Sequence, residues 1–588
     1  MKKFFSIICI LAFMLTMSCS NDDSIGCSAG KVNAAKDIKF EISFSDYNAD
    51  DTINHGTRAA IDSQMLKPQI VPMGDMMYAE VSLQRDTTKV TDKVEKAKTR
   101  ALTDGTYTIY AYQGTDLKGT LKGTVASNVF TPTSSNEEIG LVPGTYTFVC
   151  CNEKVQVNGE TWSVDRADVE NARIGIAKNV VVTPTPMKQK VSFQMKHVGS
   201  RVAILLQADG FPVWDATADF TSITNIPEKV DFNSATQTFS VVAASPLSEN
   251  ISFQTQSQSK YYYHNVFYAK QNPSNGLWLK EYFYFLPSTN GSKLKLSLTG
   301  GTAYRLPLNG RSAVFPALTS MEMNNSYILT MKLHYNYFFL YSDGTIGQKT
   351  DANYSHKTPI AVVVSRSKRI AAALNEIDTR TINNYHWGKR GQTTITTANS
   401  ALNAHLSDLN GYDYTYSTVY STDGIVKGND ATNYPAFYAA AHYDPGVTVT
   451  GANIGKWYLP TIGEWNLYYK NLVLLKNEDL KEYVPFYLPN AWEGYYNVYP
   501  DDWAIKRTSL PDQTYGSYNQ WYYVSASEST QNTYFCYLNQ SESRPSMWGP
   551  MGRSGKNVIF NVDKDHPEFN YMSFSGIKLT AIRPFIHY

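Results

Sequence analysis

The chain has 588 residues, with 53 Lys and Arg against 52 Asp and Glu, so its formal net charge is +1. That balance excludes the basic surface of a nucleic-acid-binding protein, and an acidic tail is also absent from the sequence. The length is too great for one hydrophobic core, and about three or four domains are expected. Many Tyr, Thr and Ser residues and few long helical periods favour a mostly β, extracellular protein.

The N-terminus has the layout of an export signal. Two lysines precede an apolar run, 4–17, that is too short to span a bilayer. The segment LTMSC, 15–19, resembles the processing site of bacterial lipoproteins and implies cleavage before Cys19 and acylation of Cys19. The alternative is an ordinary signal peptide. The stretch SNDD, 20–23, resembles a surface-export tag, so we expect a surface-exposed lipoprotein of the outer membrane.

The six cysteines predict neither a disulfide framework nor a zinc site. Cys150 and Cys151 are adjacent, and on a strand their side chains would point to opposite faces. Cys536 lies in an apolar stretch and is interpreted as a buried core residue.

Short strands dominate the first 335 residues. Ile38, Phe40, Ile42 and Phe44 alternate with polar residues, which predicts a half-buried strand over 38–45. Turn residues followed by β-branched and aromatic residues predict more strands. These further strands are expected at 77–83, 104–112, 143–149, 191–197, 201–206, 261–269, 281–286, 293–298 and 327–333.

These features resemble the fimbrillin family, the subunits of type V pili, over roughly residues 30–335. The resemblance rests on the lipoprotein-like Cys19, the strand 38–45 with a following Thr-Arg-Ala, the DGTY at 104–107 and the MKH at 195–197. It implies two fimbrillin-like (transthyretin-like) β-sandwich domains. It also implies partners, namely other fimbrillin subunits.

Two arginines are candidate sites of proteolytic processing. Arg58 and Arg100 each follow Thr and precede Ala in a polar segment. In fimbrillins a trypsin-like protease cuts at such an arginine and releases the first strand, and the exposed groove accepts a strand of another subunit. Arg58 is preferred, because a cut at Arg100 would also remove the strand near 77–83.

The composition changes after residue 336, where seven of the ten tryptophans lie. Helices are predicted at about 367–374, 398–409 and 463–475, between long irregular loops. Thr461 is a good N-cap and Glu464 stands three residues on, which predicts a capping box at the start of the last helix.

This part resembles the major paralogous domain, whose fold is C-type-lectin-like and α+β. The resemblance covers roughly residues 336–588. The family is related to the formylglycine-generating domain, whose members work through paired cysteines. It has five landmarks in the order of that family: YSDGTI (341–346), YPA (434–436), KWYLPTIGEWNLY (456–468), YVSASE (523–528) and IRPF (582–585). The domain has Cys536 alone, so we expect no such enzyme activity.

The sequence predicts no enzyme, no cofactor and no metal site. Searches for zinc-protease, serine-hydrolase, phosphate-loop and dinucleotide motifs all fail. Asn561, Asp563, Asp565 and Glu568 have spacing that could suit calcium, but His566 stands where such a loop needs Gly. A solvated acidic loop is the preferred interpretation.

Aromatic loops between 490 and 550 are the better binding candidates. Exposed indole rings beside amides can stack on sugar rings or on peptide. The alternative is that these side chains are buried in the core. The candidates are Trp492, Trp503, Trp521 and Trp548.

Together these features predict a mostly β surface lipoprotein, a type V pilus subunit and above all a tip adhesin, binding glycan or host or matrix protein. The last strand, near 577–585, is expected to be built into the C-terminal domain, which leaves no obvious strand to donate. The alternatives are a pilus anchor subunit and a free-standing surface glycan-binding lipoprotein. The expected regions are a signal peptide at 1–18, a tether at 19–37, β-sandwiches at 38–185 and 186–335, and the C-type-lectin-like binding domain at 336–588.

Overall fold

The computed structural model describes most of the first 472 residues and several strands beyond them. Within those ranges most elements are strands, as the sequence predicts. None of the helices in this part of the chain combines the length and apolar composition that a membrane crossing requires. The described ranges are 30–48, 68–74, 76–86, 104–127, 129–133, 140–184, 189–208, 213–253, 260–263, 266–269, 277–279, 281–304, 306–315, 318–348, 350–351, 356–375, 377–378, 395, 407–472, 520–528, 532–539, 559–563 and 579–588.

The N-terminal strands include every one predicted there. They are β1 (Val32–Asn33), β2 (Ile38–Phe44), β3 (Gln69–Pro72), β4 (Met77–Arg85), β5 (Gly105–Gln113), β6 (Asp116–Ala126), β7 (Val129–Pro132), β8 (Gly140–Leu141), β9 (Gly144–Asn152), β10 (Gln156–Asn158), β11 (Thr161–Asp165), β12 (Arg173–Val182) and β13 (Gln189–His197). A single helical turn, α1 (Ala34–Asp37), leads into β2.

The middle of the chain continues in strands. They are β14 (Ser200–Ala208), β15 (Val213–Ser222), β16 (Ile226–Asn233), β17 (Thr238–Ser245), β18 (Ser248–Ser252), β19 (Lys260–Tyr263), β20 (Val266–Ala269), β21 (Leu277–Trp278), β22 (Phe283–Phe285), β23 (Leu294–Ala303), β24 (Leu306–Pro307), β25 (Ser312–Val314) and β26 (Ser326–Tyr335). A 3₁₀ turn precedes β23 at Gly291–Lys293.

The C-terminal part mixes strands with short helices. The strands are β27 (Phe338–Tyr341), β28 (Ile346–Gln348), β29 (Pro359–Ser365), β30 (Ile370–Ala373), β31 (Ile377–Asp378), β32 (Gln520–Glu528), β33 (Asn532–Asn539), β34 (Ile559–Asp563), β35 (Leu579–Ile582) and β36 (Phe585–His587). The helices are α2 (Gly411–Tyr416), α3 (Pro435–Ala441) and α4 (Ile462–Asn471), with a 3₁₀ turn at Lys427–Asn429.

Seven strands close into a barrel in the order β12-β13-β2-β7-β6-β5-β9. The first sandwich expected from the sequence is therefore a closed barrel, because β2 joins two strands that would otherwise be edges. It runs parallel to β13 and antiparallel to β7. Cys150 and Cys151 in β9 are both buried and unbonded, and they face two different core clusters, as predicted from their adjacency.

The second half of the β-region is a sandwich. A six-stranded sheet follows the path β21-β14-β26-β4-β3 with β22 beside β14, and a five-stranded sheet follows β18-β15-β23-β24 with β25 beside β23. Their apolar residues form one core cluster. β4 pairs with β26 along its whole length, and β10-β11 pair with β16-β17. The expected boundary at 185/186 therefore does not separate the sheets.

The C-terminal part forms two five-stranded sheets, β28-β27-β29-β30-β36 and β31-β35-β32-β33-β34. The core of the sandwich continues into this part across residue 336. The helix predicted at 367–374 is wrong. Residues 370–373 form β30, whose successive residues are buried in two different clusters, one on each face of the sheet. A short apolar run of this kind has no period that distinguishes strand from helix.

The capping box at the start of α4 is confirmed. Thr461 accepts from the amide of Glu464, and the Glu464 carboxylate accepts from the amide of Thr461. The helix ends at Asn471, within the span predicted from the sequence. Of the helix predicted at 398–409, residues 398–406 lie outside the described ranges, and 407–409 are not helical.

Candidate functional site

The N-terminal strand β2 occupies a groove in the barrel wall. Ile38, Phe40 and Ile42 are 5%, 2% and 1% exposed, so the predicted alternation is confirmed. Phe44 is half-buried at the end of the strand, whereas Lys39 points to solvent. Each fully buried side chain of this size contributes about 1.5–3 kcal/mol of hydrophobic stabilisation. The strand is thus held mainly by its apolar face.

Phe40 lies at the centre of this face. Its ring makes edge contacts with Phe130 and Phe148, at centroid distances of 5.9 and 5.7 Å, and stacks on Phe193 at 6.1 Å. Edge-to-face and offset pairs of aromatic rings add stabilisation beyond the area that they bury. Removal of β2 would leave an aromatic-lined cleft in the barrel.

The two backbone edges of the groove are unequal. On one side β2 is in register with β13 over seven residue pairs, from Ile38 with Gln189 to Phe44 with Met195. On the other side it has a single registered pair with β7, Glu41 with Val129. Departure of β2 would therefore expose chiefly the edge of β13, and an unpaired edge is a template for another strand.

An ion pair network covers the outer face of the strand. Glu41 lies 2.6 Å from the Lys190 ammonium and 3.1 Å from that of Lys39. Hydrogen bonds from Lys190 and then Lys39 hold the pKa of Glu41 below its ordinary value. These groups are largely exposed, so their contribution to stability is small.

Residues 46–48 begin two positions beyond the end of β2 and contact the turn before β26. We name them the junction segment. The Asn48 amide donates to the Asn324 carbonyl at 2.8 Å, and Asn324 Nδ2 donates to the Asp46 carbonyl at 3.2 Å. The Asn48 side chain donates to the Asp86 carbonyl at 2.6 Å and accepts from the Ser326 amide at 2.9 Å. The segment thereby joins the barrel strand to the sandwich.

Tyr47 of the junction segment enters a pocket between barrel and sandwich, which we name the junction pocket (Arg173, His197, Arg201 and Tyr284). Its ring stacks on His197 with centroids 3.8 Å apart and an interplanar angle of 26°. The Arg201 guanidinium carbon lies 4.6 Å from the Tyr47 centroid on a cation–π contact. Burial raises the pKa of Tyr47, and the charges of Arg173 and Arg201 partly oppose that shift.

The described residues leave two buried polar atoms at the junction pocket without a hydrogen-bond partner, one of Tyr47 itself and one of the pocket wall. Within the described residues, neither Tyr47 Oη nor His197 Nδ1 has a hydrogen-bond partner. Burial, followed by the charges of Arg173 and Arg201, holds the pKa of His197 well below its ordinary value, so the ring is neutral. Buried polar groups without partners are rare in native proteins and mark places where another group can bind.

The walls of the junction pocket are fixed by bonds that do not involve β2. Arg173 Nη1 donates to the carbonyls of Glu170 and Ala172, at 2.8 and 3.1 Å. Arg201 Nε donates to Ser326 Oγ at 3.1 Å. Across the described ranges, no carboxylate forms an ion pair with either guanidinium.

The strand β36 is paired within a sheet of the C-terminal part. β36 pairs with β30, and Tyr458 bridges to Phe585 by two backbone hydrogen bonds of 2.9 and 3.0 Å. Phe585 and Ile586 are fully buried. The single strand predicted near 577–585 is wrong, because the structure divides this span between β35 and β36 in two different sheets. Both strands pair with strands of the C-terminal part, as the prediction for that span requires.

Most residues singled out from the sequence lie outside the described ranges. These are Cys19, Arg58, Arg100, Trp492, Trp503 and Trp548. The backbone of Trp521 lies in β32 and not in a loop. Asn561 and Asp563 lie in β34, paired with β33, whereas 565 and 568 are outside the described ranges. In the part of the chain that the structure describes, no three His, Cys, Asp or Glu side chains are grouped as a metal site.

Sequence reasoning missed Tyr47 and its pocket. The stretch from 46 onward is polar and has no period typical of a strand or a helix. The one available signal was an aromatic residue followed by Asn, three residues beyond the last apolar position of an alternating strand. The residues of the pocket wall lie more than 120 positions after Tyr47 in the sequence, and a local sequence pattern does not predict such a contact.

No protein-family model matches the chain, and no curated protein matches it. Several solved structures resemble it, all with low superposition scores. A fimbrial protein from Bacteroides vulgatus is 14% identical, with 41% of this chain and 91% of that chain covered and a TM-score of 0.27. A fimbrial assembly protein from Parabacteroides distasonis is 10% identical, with coverages of 46% and 97% and a TM-score of 0.25. A fimbrial protein from Bacteroides ovatus is 9% identical, with coverages of 95% and 100% and a TM-score of 0.23. At these scores and identities the likeness does not establish a family.

Proposed function

We propose that the chain is a surface-exposed subunit of a type V pilus that exchanges its N-terminal strand for a strand of another subunit after proteolysis. The observation that carries the proposal is the position of β2, which fills a groove between β13 and β7 in an otherwise continuous barrel wall. Removal of one strand would leave an apolar cleft beside a seven-residue backbone edge, and such grooves accept strands from other chains.

The topology favours Arg58 over Arg100 as the processing site. Arg58 lies between β2 and β3 in the sequence, so a cut there separates β2 and the two-residue β1 from the remaining strands. Arg100 lies beyond β4, which pairs with β26 over nine residues and is largely buried. A cut at Arg100 would strip two strands from the sandwich as well, and the loss of that core would destabilise the fold.

The subunit is proposed to stand at the pilus tip. A stalk subunit needs a strand to donate, and here the C-terminal strand β36 is buried in its own sheet. Because β36 is buried in this way, it is not free to pair with another subunit, and this supports a position at the end of the filament. Before processing, acylation at Cys19 would anchor it in the outer membrane. A subunit that stays lipidated would instead be a pilus anchor.

Region 336–588 is proposed to be a C-type-lectin-like, non-enzymatic domain that binds glycan or a host or matrix protein. The candidates are Trp492, Trp503, Trp521 and Trp548. Replacing a stacking tryptophan with Ala should weaken binding by about 1–3 kcal/mol, as for aromatic stacking on other planar ligands. Binding that a chelator abolishes, while all four variants bind normally, would point to calcium near Asp563 instead.

The processing proposal is tested with two matched variants, Arg58→Ala and Arg100→Ala, which share the same flanking Thr and Ala. Filaments are purified from cells that carry each variant, and the subunit's N-terminus is sequenced. We expect Arg58→Ala to keep its N-terminal strand and to be absent from filaments, while Arg100→Ala begins at residue 59 and is incorporated. Incorporation of uncut Arg58→Ala would refute the mechanism.

The tip position is tested by immunogold labelling of the same filaments. One label per filament, at one end, is expected. Label along the whole shaft would refute the tip assignment. A surface protein found in no filament at all would be the free-standing glycan-binding lipoprotein.

A further inference from the structure

We infer that the junction pocket is a recognition pocket for the strand that replaces β2, and that it selects an aromatic side chain three positions after the last apolar residue of that strand. The inference rests on the proposed strand exchange. It adds a chemical requirement on the partner beyond the alternating apolar residues that the groove itself demands.

First, the release of β2 from its groove also removes Tyr47 from the junction pocket. Tyr47 lies three residues after Phe44, on the same side of the proposed cut at Arg58 as β2. A strand released by that cut carries the junction segment with it. The cleft in the barrel and the space between His197 and Arg201 then become one continuous binding surface.

The second step is direction. β2 runs parallel to β13, and β13 ends at His197, whose ring stacks on Tyr47. A replacement strand in the same direction therefore reaches the pocket just beyond its last paired residue. The register of the apolar side chains fixes which residue arrives there.

The third step is that the pocket persists without its occupant. The Arg173 side chain donates to the carbonyls of Glu170 and Ala172, and the Arg201 side chain donates to Ser326. The His197 backbone amide donates to Asn324 Oδ1. None of these partners leaves with β2. A preformed site binds its ligand with a smaller loss of conformational freedom than one that must reorganise.

The fourth step is the chemistry of the pocket. An imidazole stacked on the Tyr47 ring and a guanidinium 4.6 Å from the centre of that ring both offer surfaces to a π-system. Tyr47 Oη has no partner in the part of the chain that the structure describes. A phenyl ring would keep both face contacts without burying an unpaired hydroxyl, so Phe should bind as well as Tyr or better.

The experiment uses the chain from residue 20 onward with a sequence-specific protease site inserted within 51–57. After cutting, fluorescent peptides with the sequence of residues 30–50 compete for the groove, and their affinity is measured by anisotropy. Four peptides carry Tyr, Phe, Ala or Glu at position 47, and a fifth carries Lys39→Ala as a solvent-facing control. The protein is the same in every measurement, so differences in its folding do not enter.

We expect the Ala and Glu peptides to bind at least about tenfold more weakly than the Tyr peptide. The Phe peptide should bind at least as tightly as the Tyr peptide. The affinity of the Lys39→Ala peptide should lie within about twofold of that of the Tyr peptide. An Ala peptide that equals the Tyr peptide would overturn the inference while leaving strand exchange intact. A Glu peptide that binds more tightly than Tyr would also overturn it, since the pocket would then select an anion. If no peptide enters the groove, strand exchange itself fails, and the inference fails with it.

Discussion

Tyr458 Oη donates a hydrogen bond of 2.7 Å to Glu464 Oε1, and both side chains are completely buried. The other carboxylate oxygen accepts from the Thr461 amide at 2.8 Å. Burial, which disfavours the carboxylate, raises the pKa of Glu464 to about 8, although the bonds from Thr461 and Tyr458 act in the opposite direction. A residue that caps a helix therefore also holds a proton inside the C-terminal core.

This carboxyl makes stability depend on pH. Its pKa is about 8 in the folded protein against an ordinary value of 4.5, so between these values the folded state binds more protons than the unfolded chain. Its stabilising effect is complete below the lower value and is lost as the pH rises through about 8. We expect the apparent Tm of the C-terminal part to fall by at least about 3 °C across this window, measured by tryptophan fluorescence.

Glu464→Gln provides the matched variant, because the amide is nearly isosteric with the protonated acid. Tyr458 Oη could then accept from the amide and donate to His587 Nε2, which lies 3.4 Å away. The variant should show a flatter Tm profile over the same pH window. A slope equal to that of the unaltered protein would contradict the assignment.

Glu464 caps a helix and is also a buried carboxyl, and only the first of these two roles could be predicted from the sequence. The capping box was predictable, since its two side chains and two amides lie within four residues. The burial was not, because Tyr458 approaches from before the helix, and Phe585, far along the chain, packs on the neighbouring residue Trp465. A local sequence pattern predicts a helix cap, whereas contacts with distant residues determine whether that cap is buried from solvent.

The same division holds for β2. Its alternation predicted a half-buried strand, and the structure agrees. Its parallel partner β13 begins about 150 residues later, and nothing in either strand specifies that pairing. The polar residues after Phe44 gave no sign of a binding role, because the groups that receive Tyr47 and Asn48 come from the end of β13, from β14 and from the start of β26.

Phe40→Ala should loosen the barrel strongly. The ring contacts three other aromatic rings and is 2% exposed, and removal of a buried phenyl group commonly costs about 3–5 kcal/mol. The amides of β13 should then exchange with deuterium at least about a hundredfold faster, measured by mass spectrometry on peptides covering 189–197. Lys39→Ala, on the solvent face of the same strand, should leave that exchange almost unchanged, and equal effects of both variants would argue against a buried anchor.

Cys150 and Cys151 should resist alkylation in the folded protein. Both are buried, and burial raises the pKa of each thiol, so little reactive thiolate is present. Iodoacetamide followed by mass spectrometry should find both unmodified in native buffer and both modified in urea. Rapid labelling of Cys150 alone in native buffer would show that the barrel interior opens frequently.

The last prediction concerns how β2 is retained after cutting. Asn48 has a φ of 59°, a left-handed conformation that glycine adopts freely and alanine adopts at a cost of about 1–2 kcal/mol. Its side chain also bonds the Asp86 carbonyl and the Ser326 amide. Asn48→Gly removes those bonds and keeps the backbone relaxed, whereas Asn48→Ala removes the bonds and adds strain.

The chain cut at an inserted protease site should therefore release its N-terminal fragment at three different rates. The fragment with Asn48 should leave most slowly, the Gly variant faster and the Ala variant fastest, as measured by size-exclusion chromatography at intervals after cutting. The gap between Gly and Ala reports the strain alone, and the gap between Asn and Gly reports the side-chain bonds. Three equal rates would mean that the barrel contacts of Ile38, Phe40 and Ile42 alone limit release, and that the junction segment exerts no hold on the strand.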